Sequence, residues 1–204
     1  FTQTRSFKTA VEGLWANNPT FRMILGICST LAVTNSVRNT IAMDIAVVFV
    51  IIASSLTVSL MRNIIPRSVR MAVYTLIIAT YVIFVDQYLR AYYPDISEQI
   101  GPYVGLIIVN CIIMGRCESF ASGNNAWLSV LDAFGVGVGY SLSLILIATI
   151  REILGFGSIL GFTVLGDWWT GWVIMVMSPG AFIVLSVYIW ILRAIAKPQL
   201  TKKM

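Results

Sequence analysis

The chain alternates between long apolar runs that carry almost no charge and short segments that hold most of the charged residues. A helix that crosses a bilayer needs about 20 apolar residues, with a usual range of about 17–25. The pattern therefore predicts an all-α integral membrane protein with six transmembrane helices, near 22–38, 41–61, 70–91, 100–117, 130–150 and 171–193.

The composition supports the same class. Of the 204 residues, 58% are hydrophobic and 11% are charged, whereas an ordinary soluble domain carries about 25% charged residues. A water-soluble fold of this length cannot hide so much apolar surface. The net charge of +5 is therefore interpreted in terms of membrane topology and contact with lipid headgroups. We expect no nucleic-acid partner.

The first and fourth runs differ from the others because they are short and interrupted by polar residues. Cys28 is followed by Ser29 and Thr30 in the first run, and Cys111 follows Asn110 in the fourth. Such segments in matching positions of two halves are typical of helices broken into half-helices near the membrane midplane. The alternative is a pair of short, continuous helices that are shielded by their neighbours.

Six spans divide into three plus three, and an odd number of crossings per half inverts the second half relative to the first. The chain then consists of an N-terminal cytoplasmic segment with an interfacial amphipathic helix, two inverted three-span repeats and a cytoplasmic tail. The corresponding ranges are 1–21, 22–98, 99–196 and 197–204.

Basic residues predict the orientation, because cytoplasmic loops carry an excess of lysine and arginine. With the N-terminus inside, only Arg38, Arg90 and Arg151 of the 14 basic residues lie on the outer side. Both termini are therefore predicted to be cytoplasmic.

Cys28 and Cys111 are the candidate ligands of a metal site. Thiolates favour iron–sulfur clusters, zinc or cuprous copper, and the chain contains no histidine. A cluster usually takes four cysteine ligands, so a partner chain has to supply the rest. The alternative is that both cysteines are inert apolar filler. Cys117 has no counterpart in the first half and is interpreted as a bystander.

Several other residues carry weaker signals. Asp44 and Asp132 lie near the ends of predicted spans, where a carboxylate either reaches water or meets a cation. Gly135 and Gly139 form a small-xxx-small face for close helix packing. Interface anchors or subunit contacts are predicted at the helix ends Arg116-Cys117-Glu118 and Arg151-Glu152. A kink is predicted within the sixth span at Pro179-Gly180.

A set of motifs covers nearly the whole chain and resembles one family. The motifs are NNP at 17–19, LGICSTLAVT at 25–34, VSLMRNIIPRSVR at 58–70, VDQYLRAYYPDIS at 85–97, VGLIIVNCIIMGRCESFA at 104–121, LDAFGVGVGY at 131–140, REILGFGS at 151–158 and SPGAF at 178–182. They resemble the membrane subunits that the Na+-translocating NADH:quinone oxidoreductase (Nqr) shares with the Rnf complex. The D subunits of Nqr are the favoured branch, and the E subunits of Rnf, which serve ferredoxin-linked electron transport, are the alternative. Cys117 and Asp44 depart from the residues that are usual in the family.

The resemblance implies a subunit of a redox-driven translocase in the bacterial inner membrane that moves electrons from NADH to quinone and exports Na+. It further implies that Cys28 and Cys111 hold a 2Fe–2S cluster together with two cysteines of a homologous, oppositely oriented subunit, the E subunit of Nqr. FAD, FMN and riboflavin are expected in other subunits of the complex, whose remaining members are A, B, C and F. Asn110 and Thr30 are candidate donors to the sulfurs. The rival interpretations are a secondary transporter and a structural scaffold.

Overall fold

The computed structural model describes residues 25–159, 162–163 and 171–200. Eight α-helices lie in these ranges: α1 (Ile27–Val33), α2 (Val37–Met61), α3 (Arg70–Tyr92), α4 (Pro94–Ile108), α5 (Cys111–Arg116), α6 (Ala126–Phe156), α7 (Val173–Val176) and α8 (Ser178–Leu200). A 3₁₀ turn (Arg67–Val69) precedes α3, and a π-helical segment (Cys117–Ala121) continues α5. The two-residue strands β1 (Ser158–Ile159) and β2 (Phe162–Thr163) pair antiparallel after α6. The amphipathic helix predicted within 1–21 lies outside the described residues.

Four helical segments in the described residues are long and apolar enough to cross a membrane: Val37–Met61, Arg70–Tyr92, Gly101–Ala121 and Ala126–Phe156. Helix α2 has 25 residues, which at about 1.5 Å per residue gives about 37 Å. This length exceeds a hydrocarbon core of about 30 Å. The apolar part of α8, Ser178–Leu192, is shorter. The helical membrane class is confirmed, whereas the six-span inverted repeat stays a prediction.

Helices α2 and α6 form the centre of the fold and run antiparallel. At one end the Ser59 hydroxyl donates to the carbonyl of Asn124 (2.7 Å), and at the other the Val37 N–H donates to Glu152 Oε2 (2.6 Å). Between these ends Gly137 faces α2, where an added Cβ would lie 3.3 Å from a methyl of Val48. Close packing is therefore present at Gly137, which lies between the predicted positions Gly135 and Gly139.

The molecule presents apolar side chains on its outer surface and keeps many polar ones inside. Large exposed hydrophobic residues occur on every long helix, among them Ile45, Leu60, Leu76, Phe134, Leu142 and Trp190. Buried polar residues include Ser29, Thr30, Asn110, Asp132 and Arg151. This distribution is typical of a membrane protein, because lipid solvates apolar side chains while backbone and polar groups must find partners inside.

Helix α6 extends further than the sequence predicts, and the prediction that Arg151 and Glu152 anchor a helix end at the interface is wrong. Both residues are buried, and α6 continues to Phe156. The chain between α7 and α8 is broken at Met177, two residues before the predicted kink at Pro179-Gly180.

This break leaves backbone carbonyls without intrahelical partners. The Arg151 guanidinium donates to the carbonyls of Met175 (3.1 Å), Val176 (3.1 Å) and Met177 (3.3 Å). It also donates to the hydroxyl of Thr34 just after α1. Arg151 therefore ties three elements together inside the protein.

Candidate functional site

The fourth apolar run is a discontinuous helix. Helix α4 ends at Ile108 and α5 begins at Cys111, with Asn110 in an extended conformation (φ −64°, ψ 116°) between them. The Asn110 side-chain oxygen accepts a hydrogen bond from the N–H of Ile112 at 3.0 Å and so caps α5. Asparagine is among the preferred N-cap residues because its side chain replaces a missing intrahelical partner. The predicted break is therefore present here, directly before Cys111.

The first cysteine also lies at the beginning of a short helix. Gly26 precedes α1 in the left-handed conformation (φ 81°, ψ 16°), which glycine adopts without steric cost. The hydroxyls of Ser29 and Thr30 donate to the Gly26 carbonyl, at 3.1 Å and 2.8 Å respectively. Cys28 is the second residue of this helix. The residues before position 25 lie outside the described part of the chain.

The two helix beginnings meet in the structure. The backbone N–H of Gly26 donates to the sulfur of Cys111 at 2.9 Å, although the two residues are 85 positions apart. The Asn110 amide donates to the Ser29 hydroxyl at 3.4 Å, and Ser29 also hydrogen-bonds the hydroxyl of Tyr140. The structure thus brings together the cysteine segments of the two halves.

The surroundings of the sulfurs differ from those expected for inert filler. Cys28 is exposed at the surface of the chain and Cys111 is half-buried. A cysteine that only fills space inside a fold is among the most buried residue types. Cys117 matches that description, since it is fully buried with its sulfur 3.9 Å from the Ser54 hydroxyl.

The cysteine pair does not form a complete metal site by itself. In the ranges that the structure describes, no three His, Cys, Asp or Glu side chains are grouped so that they could hold a metal ion. The site instead consists of two thiols, Cys28 and Cys111. Because Cys28 is exposed, the site is open to another molecule at the surface of the chain.

Two of the residues that organise the site were not predicted. Gly26 provides the N–H donor, and Tyr140 from α6 closes the polar cluster on the other side. The predicted donors Thr30 and Asn110 instead bond the Gly26 carbonyl and the Ser29 hydroxyl. A glycine directly before a cysteine helix was a usable signal for Gly26, whereas Tyr140 lies in an apolar run with no local feature that marks it.

Asp44 and Asp132 are buried, so of the two predicted alternatives the one in which they reach water is wrong. Asp132 is 2% exposed and forms a bidentate ion pair with Arg116, with 2.9 Å between Nε and Oδ2. The Arg116 guanidinium also lies 5.4 Å from the ring centre of Phe120, within the range of a cation–π contact. The prediction of an interface anchor or subunit contact at Arg116 is wrong, because the arginine is buried and turns inward toward Asp132. Asp44 is likewise 4% exposed.

The chain is similar in sequence to known membrane subunits. The chain is 45% identical over 193 residues to the D subunit of the Na(+)-translocating NADH-quinone reductase of Psychromonas ingrahamii, and the match covers 92% of both chains. It is 44% identical to the corresponding D subunit from Tolumonas auensis (94% of this chain, 92% of the relative). For the same protein of Chlamydia trachomatis the identity is 43%, with 97% of this chain and 98% of the relative covered.

The family model described as "Rnf-Nqr subunit, membrane protein" matches residues 6–189. This range includes both cysteine segments and the four segments that are long enough to cross a membrane. With a match over most of its length and relatives of this similarity, the chain belongs to the Rnf-Nqr family of membrane subunits.

Proposed function

We propose that this chain is the D subunit of a bacterial Na+-translocating NADH:quinone reductase, and that Cys28 and Cys111 form half of a 2Fe–2S site. The other two ligands come from a homologous subunit of opposite orientation. The relatives that carry the D-subunit name, similar over nearly the full length of the chain, support the assignment to this complex.

The observation that carries the cluster proposal is the hydrogen bond from the Gly26 N–H to the Cys111 sulfur. It joins the beginnings of two helices from different halves of the chain, so the cysteines of both halves lie in one region. Hydrogen bonds to the sulfurs are among the features that set the potential of an iron–sulfur cluster.

The residues present fit half of such a group. A 2Fe–2S cluster is usually held by four cysteine thiolates, and this chain offers two cysteines at the open site and a third that is buried elsewhere. The exposed position of Cys28 suits a ligand shared across a subunit interface, because a group bound there is reachable from a second chain.

In the proposed mechanism this chain positions the cluster and shields it from water. When bound, the cluster supplies one-electron transfer between the flavins that we expect in the other subunits. Asn110 and Gly26 hold the backbone at the two helix beginnings, and Tyr140 and Ser29 fix their relative position. The apolar residues around the break, such as Ile112, exclude water and so lower the local dielectric constant.

The test uses the intact complex with Cys28→Ser and Cys111→Ser, each made separately, and Cys117→Ser as the matched control. We expect both site variants to lose iron and the iron–sulfur EPR signal, while flavin content and subunit composition stay unchanged. The control retains iron. Normal iron content and normal NADH-to-quinone flux in both site variants would overturn the proposal and favour inert cysteines.

A further inference from the structure

Asp44 is a buried carboxylate without a partner. It lies in the second turn of α2 and is 4% exposed, and neither of its side-chain oxygens has a hydrogen-bond partner in the structure. No ion pair joins it to a basic side chain of the described residues. Because an isolated buried carboxylate is costly, such a group indicates a partner from outside the described residues.

A comparison with Asp132 identifies what is missing. Both carboxylates lie in the second turn of the long helix that follows a cysteine segment, Asp44 in α2 and Asp132 in α6. Asp132 is neutralised by Arg116, which is five residues after Cys111. The residue five positions after Cys28 is Val33, which is buried at 3% exposure. In the described residues, Asp132 therefore has an internal cation, whereas Asp44 lies in a similar place without one.

Neutral oxygen atoms lie beside Asp44. The antiparallel packing of α2 and α6, which sets Val37 against Glu152 and Val48 against Gly137, places Asp44 at the level of Tyr140. The Tyr140 hydroxyl is bonded to Ser29. Ser29 and Thr30 both donate to the Gly26 carbonyl. Unwound backbone carbonyls at interrupted helices coordinate Na+ in membrane transporters.

We propose that Asp44 is a binding site for a small monovalent cation, namely Na+, at the polar cluster formed by Ser29, Thr30 and Tyr140. One carboxylate surrounded by neutral oxygens balances a single positive charge, whereas a divalent ion would leave an uncompensated charge in a low-dielectric region. Carboxylate and hydroxyl oxygens are hard ligands that suit an alkali cation and not a soft metal.

The position of the site within the membrane follows from helix geometry. Asp44 comes seven residues after the first residue of α2, which corresponds to about 10 Å along the helix. The site thus lies within a helix that is long and apolar enough to cross a membrane. It depends on Asp44 and its oxygen neighbours and does not require that Cys28 and Cys111 hold a cluster.

The test measures Na+ binding to the purified complex by equilibrium dialysis with radioactive sodium in a potassium buffer. In Asp44→Asn the side chain keeps its shape and loses its charge, and we expect one bound Na+ fewer or an affinity lowered about tenfold or more. Glu118→Gln is the matched control, since it removes a carboxylate that is half-exposed and 3.6 Å from Arg70. This control retains the wild-type binding.

A second variant supplies the cation from within the chain. Val33→Arg places an arginine at the position that corresponds to Arg116, and we expect it to abolish the same Na+ binding while Asp44 is kept. If this variant does not assemble, Asp44→Asn still decides the question. Unchanged Na+ stoichiometry and affinity in Asp44→Asn would overturn the proposal.

Infrared difference spectroscopy gives an independent readout on the wild-type complex. Addition of NaCl is expected to change a carboxylate band that is absent from Asp44→Asn. A protonated carboxyl band of Asp44 that persists at saturating Na+ would overturn the proposal, because the group would then be a neutral acid. Iron content and the EPR signal are expected to stay at wild-type levels in Asp44→Asn, which separates this result from the fate of the cluster proposal.

Discussion

The backbone N–H of Gly26 donates a hydrogen bond to the sulfur of Cys111 at 2.9 Å and connects the beginnings of two helices that are far apart in sequence. This contact requires a close approach between the two segments. A Cβ added at Gly26 would lie 2.5 Å from the Ile112 side chain and 2.9 Å from the Tyr140 ring. It also requires the left-handed backbone conformation of Gly26. Position 26 therefore excludes any side chain for two separate reasons.

The first prediction concerns Gly26→Ala. The left-handed conformation costs about 1–2 kcal/mol for a residue with a Cβ, and overpacking against Ile112 and Tyr140 adds about 1–3 kcal/mol. We expect a lower midpoint temperature of the purified complex together with a reduced iron–sulfur EPR signal. Gly105→Ala in α4 is the control, because a Cβ there meets no atom within 4 Å. Equal behaviour of the two variants would contradict this account of the site.

The second prediction concerns the buried pair of Arg116 and Asp132. Arg116→Met leaves Asp132 charged and unpaired, which is expected to cost about 3–5 kcal/mol. The double variant Arg116→Met with Asp132→Leu is expected to recover much of this loss, since neither half of the pair then remains buried alone. Denaturant unfolding of the complex in detergent measures both values.

The control for this pair is Arg90→Met. Arg90 also forms an ion pair, with Asp86 at 2.8 Å, but its side chain is 63% exposed. Exposed pairs contribute about 0–1 kcal/mol, so this variant should unfold like the wild type. A double variant of Arg116 and Asp132 that is less stable than Arg116→Met alone would show that burial is not the cause.

The third prediction concerns Arg151→Lys. The guanidinium of Arg151 serves three carbonyls at the break between α7 and α8 as well as the Thr34 hydroxyl. A lysine has a single ammonium group and cannot reproduce this fork, so buried acceptors lose their donors at a cost of about 1–3 kcal/mol each. We expect faster limited proteolysis of the segment after α6. Proteolysis at the wild-type rate would contradict the role assigned to Arg151.

The fourth prediction concerns Cys117→Ala. The sulfur of Cys117 is fully buried and lies near the Ser54 hydroxyl, so its removal leaves a small cavity that costs about 1 kcal/mol. We expect the iron content and the EPR line shape to remain those of the wild type. An altered line shape would indicate that Cys117 is a ligand after all.

The helical membrane class and the break before Cys111 could be predicted from local sequence. Long charge-free runs require lipid, and an interrupted run with Asn110 beside a cysteine indicates a helix that stops and starts again. The limits of α6 could not be predicted in this way. Arg151 and Glu152 resemble a helix end at the interface, but tertiary partners from α1, α2 and the α7–α8 break accept them inside the protein.

The sequence by itself determined the helical membrane class and the four segments that are long and apolar enough to cross a membrane, because hydrophobic length and charge are properties of each segment alone. It also singled out Cys28 and Cys111. Only the tertiary structure decided that Gly26 lies against Cys111, that Asp132 has a cation partner and that Asp44 has none among the described residues. These relationships join residues from different helices, and in a low-dielectric interior it is the presence or absence of such a partner that decides the energy of each charge.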